Sequence, residues 1–546
     1  MVSCGKAAPI TQQPTSSPPP PVTTQSTTVE AQPPQVDAPQ AIPAPQETKA
    51  QPFRSDEEFS IILRGGEVVD GSGAKRIKAD VVVRNDKIVF VGDVDPSVKA
   101  KKTIDASHAI VTPGFFDTHA HGSPLGNVEY ALAQGITTLV VGQDGLSPAT
   151  NLGAWLSKVD AEKPRVNVAT LVGHATLREI AALHVSKNPR PEALAQLKKL
   201  VEKALDDGAF GASTGLEYDA GKGATMAELI ALSEPVGARG GVVMSHLRSE
   251  DDDRIEDALD ELLNSCRKSG ARAHIAHFKI VLGRGEPRAS ALLAKIEQAR
   301  AAGLDISADL YPYAASYTGI SILFPDFARP PASYAEATRN RRTELLAALR
   351  AKVVKRNGPE ATVFGTGEYA GKTLLEAARS ANVPFEEILF KLGPNGAEAA
   401  YFVMDDAVIT RLFMDPFVMI GTDGGGGGRH PRGYGAFARV IEDLVQKRNL
   451  VSLEEAIRKM TGLPAKTLGL AGKRGCLQAG CFADILVFAP EEIHEHASFV
   501  APHRLASGMR YVIVGGVVER EDEKATRGRG GKALRFEGRR GKIVAP

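Results

Sequence analysis

The chain of 546 residues has little of several features that mark protein classes. It contains only 4 cysteines and 1 tryptophan, and aromatic residues make up 6% of it. So few cysteines in so long a chain exclude a fold built on disulfides, and we expect Cys476 and Cys481 to be small buried thiols. The 66 basic and 65 acidic residues leave a net charge of +1, so we expect no nucleic-acid partner. No apolar run is long enough to cross a bilayer as a helix.

The first 52 residues have neither leucine nor an aromatic residue, and they hold 12 of the 34 prolines. Such a segment cannot bury enough apolar surface to offset its ordering entropy, so we predict a disordered tail over residues 1–56. Its start, "MVSCGK", is similar to the end of a bacterial lipoprotein signal. The sequence leaves two locations open: the cytoplasm if the start is as given, or a periplasmic lipoprotein anchored at Cys4 if the true start lies upstream.

The order of apolar runs predicts the architecture of the rest of the chain. "FSIILRGGEVVDGSGAKRIKADVVVRNDKIVFVGDV" has short apolar runs separated by Gly, Asn and Asp, which is typical of antiparallel hairpins, and a similar pattern returns near the C-terminus. Between them, strand-like runs alternate with helical stretches such as "PEALAQLKKLVEKALDDG". This alternation predicts an α/β fold with a closed (β/α)8 barrel over residues 113–470. The flanks, 57–112 and 471–546, are expected to build one small β-sandwich domain.

The ends of the strand-like runs carry polar residues of one chemical kind. In such barrels the active groups lie at the carboxyl ends of the strands. The set comprises His119 and His121 in "FFDTHAHG", Asp144 in "TLVVGQD", His246 in "GVVMSH", His277 in "AHIAHF" and Asp423 in "FVMIGTD". In a strand, residues i and i+2 share a face, so the two histidines of H-x-H point the same way. Four histidines and two aspartates at matching positions predict a divalent-metal site. By the same alternation His274 faces away and is expected to be a packing or surface residue.

A series of motifs then makes a resemblance specific. "GFFDTHAHG", "GAFGASTGLEY", "SHLRSE", "LYPYAASYTG", "GTDG" and "RHPRGYGAFARV" occur in one order along the chain. With these motifs the chain resembles the amidohydrolase superfamily, and within it the N-acyl-D-amino-acid deacylases, or D-aminoacylases. The resemblance runs from about Ile61 to the last residues. It implies a (β/α)8 barrel, a small β domain and a loop-rich insertion over roughly residues 320–360, with a small-molecule N-acyl-D-amino acid as substrate.

The resemblance also implies roles for the candidate ligands. Carried over by motif, the tight zinc position would be held by His246 and His277, and a second, weaker one by His119, His121 and Asp423. Asp144 would bridge the two positions, although the family usually has a cysteine there. Because carboxylate oxygen is a harder ligand than thiolate sulfur, manganese or cobalt is expected to substitute for zinc more readily.

The chemistry of amide hydrolysis assigns further roles. A metal provides a strong nucleophile and polarises the carbonyl, and a carboxylate beside it can carry a proton to the leaving amine. Asp423 is the expected carboxylate. Arg432 can make a two-pronged contact with the substrate α-carboxylate, and Lys279 can add a point charge. By resemblance Tyr311 donates a hydrogen bond to the substrate. Tyr317 stands where the family tends to have a small hydroxyl residue.

Two alternative functions remain at this point. The first is a cyclic-amide hydrolase of the hydantoinase or dihydropyrimidinase type within the same superfamily. Those enzymes usually bridge two metals with a carboxylated lysine, and no lysine ends an inner strand at a suitable place here. The second is a catalytically silent binding protein on the same scaffold. The sequence leaves the acyl group, the amino-acid side chain and the oligomeric state open.

Overall fold

The computed structural model describes residues 51–183 and 189–538 of the chain. The strands are β1 (Phe59–Val68), β2 (Ile77–Arg84), β3 (Lys87–Gly92), β4 (Ala100–Asp105), β5 (Ile110–Pro113), β6 (Phe115–Asp117), β7 (Ile136–Val141), β8 (Asn167–Thr170), β9 (Val172–Gly173), β10 (Gly211–Gly215), β11 (Val242–His246), β12 (Arg272–Ile275), β13 (Ile306–Leu310), β14 (Ser316–Gly319), β15 (Thr362–Phe364), β16 (Glu398–Tyr401), β17 (Val418–Ile420), β18 (Ile485–Phe488), β19 (Met509–Val514), β20 (Val517–Glu521) and β21 (Lys524–Ala525).

The helices are α1 (Glu129–Leu132), α2 (Leu152–Glu162), α3 (His174–Ile180), α4 (Pro191–Asp207), α5 (Met226–Ala238), α6 (Ile255–Ser269), α7 (Gly285–Ala301), α8 (Tyr334–Asn340), α9 (Arg342–Lys355), α10 (Leu374–Ala381), α11 (Phe385–Leu392), α12 (Asp406–Met414), α13 (Arg432–Arg439), α14 (Leu453–Met460) and α15 (Gly462–Thr467). A π-helical segment, Val440–Lys447, continues α13. Helix α4 has Pro191 in its first turn, and Gly208 ends it in the left-handed conformation with φ 117°. No helix in the described part of the chain combines the length and the apolar character that crossing a bilayer requires.

Eight parallel strands form the barrel. Strands β6, β7 and β8 pair in that order, β8 and β9 are two parts of one strand, and the sheet continues through β10, β11, β12 and β13 to β17. The last strand meets the first where Ala120 and Gly424 form a parallel bridge and where the Asp423 amide donates to the His119 carbonyl at 2.8 Å. The barrel strands are buried on both faces, as parallel strands covered by helices must be. The predicted (β/α)8 architecture is therefore confirmed.

The two flanks together build a nine-stranded sheet. Its order is β21-β20-β19-β18-β5-β1-β2-β3, and β4 pairs with β1 on the side of this path. The junction between the flanks is the antiparallel pair of β5 and β18, in which Val111 lies opposite Val487. Leu63, Val81 and Ile485 are fully or almost fully buried in the core of this domain. The prediction of one β domain from both ends of the chain is confirmed.

Two expectations at the edges of the fold need correction. Phe53 falls within the predicted tail, yet its amide donates to the Asp93 carbonyl at 2.8 Å, so ordered chain begins before residue 56. Residues 1–50 of that tail, including Cys4, lie outside the described residues. Cys476 and Cys481 are joined in a disulfide, so the expectation of free thiols was wrong. They are only five positions apart, in the turn-rich stretch between α15 and β18.

The insertion lies between β13 and β17 and extends beyond the expected residues 320–360. It contains the three-stranded sheet β14-β16-β15 and helices α8 to α11. Tyr317 on β14 and Glu398 on β16 lie where this sheet borders the mouth of the barrel, and the Tyr317 hydroxyl donates to Glu398 Oε2 at 2.8 Å. The insertion thus supplies one wall of the cleft above the strand ends.

Candidate metal centre and substrate cleft

Six side chains predicted as metal ligands converge at the carboxyl end of the barrel. They fall into two groups that share one member: His119, His121, Asp144 and Asp423 in the first, and Asp144, His246 and His277 in the second. Within each group the possible ligand atoms lie within 4.8 Å of one another. The arrangement offers two adjacent cation positions with a common carboxylate between them.

Asp144 is at the centre of the cluster. Its Oδ1 lies 3.3 Å from His119 Nε2, 3.4 Å from His277 Nε2 and 3.8 Å from His246 Nδ1, and its Oδ2 lies 3.5 Å from His121 Nε2. Oδ1 therefore faces imidazoles of both groups, and Oδ2 faces His121 of the first group. A carboxylate in this position can bind two cations at once.

The backbone at the strand ends is unusual at three of the six residues. Asp144, His277 and Asp423 have φ values of 54°, 37° and 47°, in the left-handed region that few residues other than glycine adopt. Such conformations persist where the surrounding structure enforces them, and they concentrate at functional sites. Here the turn after each strand redirects the side chain into the mouth of the barrel.

Several buried atoms of the cluster lack a hydrogen-bond partner among the described residues. They are both ring nitrogens of His119, Nδ1 of His246 and Oδ1 of Asp144. Buried polar atoms are nearly always paired, and a group of unpaired atoms facing one another calls for an ion. Neutral imidazole nitrogens and a carboxylate oxygen are also the donors that a transition-metal dication takes. The residues present therefore fit a metal.

The surroundings keep the two aspartates ionised. Burial alone would raise the pKa of Asp144, but the imidazoles of His119, His121 and His277 more than offset it and hold that pKa well below its ordinary value. Burial would also raise the pKa of Asp423. The positive charge of the Arg432 guanidinium makes the largest opposing contribution, and the pKa of Asp423 lies below its usual range. Both side chains are therefore present as carboxylates at neutral pH.

Two glutamates that sequence reasoning missed contact the outer side of the second group. Glu217 Oε2 lies 3.1 Å from His246 Nε2, and Glu250 Oε1 lies 2.9 Å from His277 Nδ1. In metal sites a carboxylate on the far nitrogen of a histidine fixes the ring and its tautomer. Glu217 belongs to "STGLEY" and Glu250 to "SHLRSE", so the motifs themselves held the only signal for these two residues.

Asp309 organises the backbone beneath the cluster. It accepts hydrogen bonds from the His277 amide at 2.6 Å and the Thr118 hydroxyl at 2.8 Å, and it lies 3.0 Å from His274 Nε2. His274 is fully buried and belongs to none of the groups that could hold a metal, as expected of a packing residue, but its ring points toward Asp309 beneath the cluster rather than away from it. Asp309 thereby ties three barrel strands together at the level of the ligands.

The expected substrate-binding side chains surround one phenol. The Arg432 guanidinium lies 4.7 Å and Lys279 Nζ 5.7 Å from the centre of the Tyr311 ring. The buried Tyr311 hydroxyl has no partner among the described residues. Lys279 Nζ donates to Glu250 Oε1 at 2.6 Å, and Arg432 Nη1 is 2.7 Å from Asp423 Oδ2, so both cations already carry a counter-charge. The arginine, the lysine and the free hydroxyl lie together in one corner of the site.

His430 positions Arg432. Its Nδ1 accepts from the Arg432 amide at 3.0 Å, and its Nε2 donates to the Ala315 carbonyl at 3.0 Å. Burial keeps the pKa of His430 well below its ordinary value, so the ring is neutral as these two bonds require. The histidine of "HPR" therefore serves the geometry of the arginine two positions later.

The cleft above the cluster has a narrow inner part and a wide outer part. The inner part, of about 30 Å³, is lined by charged side chains that include Glu217, Glu250 and Lys279. The outer part, of about 670 Å³, runs along the glycines 424–428 and Leu146. A larger cavity of about 1180 Å³ opens at the opposite mouth of the barrel, around Arg272 and Phe536, and none of the six candidate ligands lines it.

The chain is similar to several known proteins. A family model described as an amidohydrolase family matches residues 414–519. An N-acyl-D-glutamate deacylase from Alcaligenes xylosoxydans xylosoxydans is 33% identical over 84% of this chain and 93% of its own length. A D-aminoacylase from the same organism is 32% identical over 88% of this chain and 99% of its own. The crystal structure of the N-acyl-D-glutamate deacylase from Bordetella bronchiseptica, in complex with zinc and a phosphonate inhibitor, matches with a TM-score of 0.75 and 30% identity over 88% of this chain and all of that one.

Proposed function

The chain belongs to the N-acyl-D-amino-acid deacylase family of amidohydrolases, and we propose a mechanism for its cleft on that basis. The reaction hydrolyses the amide bond of an N-acyl-D-amino acid and releases a free D-amino acid and a carboxylate. Metal-dependent hydrolysis of a linear amide bond is the reaction of this family, whose members named above share 32–33% of their residues with this chain. One observation carries the proposal: metal-type ligands converge next to a buried arginine and an unbonded tyrosine hydroxyl.

The proposed metal ligands follow the two groups of the cluster. His246 and His277 would hold the tighter cation, His119, His121 and Asp423 would hold the weaker one, and Asp144 would bridge them. The relative solved with zinc supports zinc as the metal. Because Asp144 provides oxygen at the bridge, manganese and cobalt are expected to bind as well. Bound there, the cation supplies Lewis acidity and a lowered pKa for water.

Asp423 is the proposed general base and acid. Its Oδ2 is anchored by Arg432 at 2.7 Å, while its Oδ1 faces His121 Nε2 at 3.2 Å. Anchoring one oxygen fixes the direction of the other, which faces the centre where the amide must lie. The carboxylate takes the proton of the attacking water and delivers it to the nitrogen of the leaving amine.

The substrate carboxylate is proposed to bind in the corner formed by Arg432, Lys279 and Tyr311. The Arg432 guanidinium has further N–H groups beyond the one directed at Asp423, and the Tyr311 hydroxyl is free to donate. Binding the carboxylate there sets the amide above Asp144 and Asp423, because both line the same cleft as Arg432. A substrate without a free carboxylate loses this anchor.

The geometry supports the two alternative functions, a hydantoinase-type hydrolase and a silent binding protein, less well. A hydantoinase-type centre needs a lysine between the metals, whereas this position is occupied by Asp144 and the nearby Lys279 is paired with Glu250 at 2.6 Å. A silent binding protein would be expected to lack part of the ligand set or the proton-carrying carboxylate. The six proposed ligands, one of which is Asp423 with its arginine, all lie together at the carboxyl end of the barrel, which supports the hydrolase over the silent protein.

The test is a panel of N-acetyl D- and L-amino acids with zinc-loaded protein, scored by released amine. We expect turnover of D-isomers and little or none of L-isomers. Asp423→Asn should lower kcat by ~10²–10⁴-fold, the usual contribution of general acid–base catalysis. Because this change also removes the partner of Arg432, the unfolding of the variant must be compared with that of the parent protein. No turnover of any D-isomer, or a preference for L-isomers, would refute the assignment.

We infer that the chain works in an oxidising compartment. Disulfides form and persist outside the reducing cytosol, and Cys476 and Cys481 are bonded to each other. Of the two locations that the sequence left open, this favours the periplasmic one. Alkylation of unreduced protein from its native host should leave these two cysteines unmodified. Complete alkylation of both without reductant would place the chain in the cytoplasm instead.

A further inference from the structure

The two parts of the cleft differ in chemistry although they are continuous. They share Tyr218, Tyr317, Asp423 and Arg432 in their walls. The inner part adds Glu217, Glu250, Lys279, Asp251 and Arg356, all of them ionisable. Because the corner formed by Lys279, Tyr311 and Arg432 belongs to the inner part, the substrate carboxylate is placed there by the proposed function.

The outer part is mostly uncharged. Its wall includes the glycines, Leu146, Ala175 and Ala220 beside the residues of the metal cluster, and among the described residues Arg432 is the only lysine or arginine in it. Its one carboxylate outside the metal cluster, Glu398, accepts a hydrogen bond from the Tyr317 hydroxyl at 2.8 Å. This part of the cleft offers contact area without a counter-charge for a second anionic group.

The run of glycines widens the outer part. A Cβ at Gly427 would meet no atom within 4 Å, and one at Gly428 would meet only Tyr317, at 3.9 Å. Side chains at these two positions would therefore fit without strain and would project into open space. Their absence leaves room along the loop that follows Asp423.

Leu146 is an exposed apolar residue at this wall. Leu146 is 63% exposed, whereas most leucines of this protein are buried. The turn after β7 holds it there, since the Leu146 amide donates to the Gln143 carbonyl at 2.9 Å. Leu146 thereby adds an exposed apolar side chain to the wall of the outer part.

We propose that the outer part of the cleft binds the acyl chain of the substrate, and that the preferred substrates are N-acyl-D-amino acids with an extended apolar acyl group rather than acetyl. This rests on the proposed function, which places the carboxylate in the inner part and the amide at the metal cluster. The acyl chain then leaves the amide on the opposite side, toward Leu146. A cavity of about 670 Å³ is in the range that holds a drug-sized ligand, and an acetyl group fills little of it.

The experiment measures kcat and KM for one D-amino acid carrying acetyl, butyryl, hexanoyl, octanoyl and decanoyl groups. We expect kcat/KM to rise by about two- to fourfold per added methylene over the shorter chains, as burial of methylene groups in an apolar site predicts. The gain should lie in KM, because the chain binds equally in the ground and transition states. The best chain length reports the depth of the cavity.

Variants test whether Leu146 belongs to the acyl wall. Leu146→Ser should flatten the dependence of kcat/KM on chain length, and Leu146→Met should retain it. Ile77→Ser is the matched control, since Ile77 is 57% exposed on β2 of the flanking β domain and is not expected to change the slope. An unchanged slope in Leu146→Ser, or an equal change in Ile77→Ser, contradicts the assignment of this wall.

The outcomes for the substrate class and for the proposed function are distinct. Turnover of the acetyl compound with kcat/KM falling along the series overturns the inference and leaves the proposed function intact. If no compound is hydrolysed, the proposed function fails. In that case dissociation constants of the same series, measured by calorimetry, decide the inference: affinity that rises with chain length supports an apolar acyl site, and affinity that is flat or falls overturns it.

Discussion

Glu217 gives the sharpest test of the metal centre, because it contacts the cluster through a single bond. Its Oε2 lies 3.1 Å from His246 Nε2 and it makes no other side-chain hydrogen bond in the described part of the chain. Glu217→Gln keeps the shape and removes the negative charge that polarises and orients the ring. Loss of such a partner lowers metal affinity by ~10–100-fold, or about 1.4–2.8 kcal/mol.

The assay is a competition for zinc between the protein and a chromophoric chelator, with the dissociation constant as readout. The side chain of Glu217 is 30% exposed, so the metal-free variant should unfold at nearly the same denaturant concentration as the parent. Glu387→Gln is the matched control: Glu387 is 27% exposed and pairs with Arg342 in the insertion. A Glu217→Gln protein that binds zinc as tightly as the parent, or as tightly as the control, would refute the role of this carboxylate.

Three further changes separate the remaining parts of the site. Glu250→Gln should destabilise the metal-free protein by ~3–5 kcal/mol in denaturant unfolding, because it leaves the buried Lys279 without its partner at 2.6 Å, and stability equal to that of the parent would contradict this. Asp144→Ala should bind fewer metal ions per chain by elemental analysis, and full metal content in this variant would exclude a bridge. Asp144→Cys should recover metal binding, with a stronger preference for zinc over manganese. Arg432→Lys should raise KM roughly tenfold or more for free-acid substrates, because a charged hydrogen bond is worth about 1.5–3 kcal/mol. It should have little effect on carboxyl-amidated analogues, and equal losses on both kinds of substrate would make Arg432 structural.

Much of the architecture could be predicted because the barrel repeats one rule. Several barrel strands are mostly apolar before their ends, so a polar residue at such an end stands out, and His246 at the end of β11 is the clearest example. Period-two alternation led us to prefer His277 over His274 as a ligand, and only His277 belongs to the cluster, but both residues contact Asp309, so the predicted outward direction of His274 was wrong. These inferences needed only local sequence and the knowledge that strand ends meet.

The contacts around the ligands could not be predicted in the same way. Glu250 follows β11, but its partners His277 and Lys279 follow β12, so the pairing depends on how two turns fold toward each other. The pairing of Arg432 with Asp423 likewise depends on the path of the glycine run between them. The disulfide was missed for a related reason: burial of small thiols is the common case, and only the turn geometry decides otherwise.

The junction between the two flanks also determines when the metal centre can exist. Strand β5 ends two residues before β6, which leads directly to His119, and β5 is held by β18 near the C-terminus. The last barrel ligand, Asp423, likewise binds the His119 carbonyl through its amide. During synthesis the first histidines therefore emerge long before the segments that fix them, and their long-range pairing is slow to form. The complete set of candidate ligands can therefore assemble only after β18 has been synthesised, so the metal is expected to bind after these long-range strand pairs have formed.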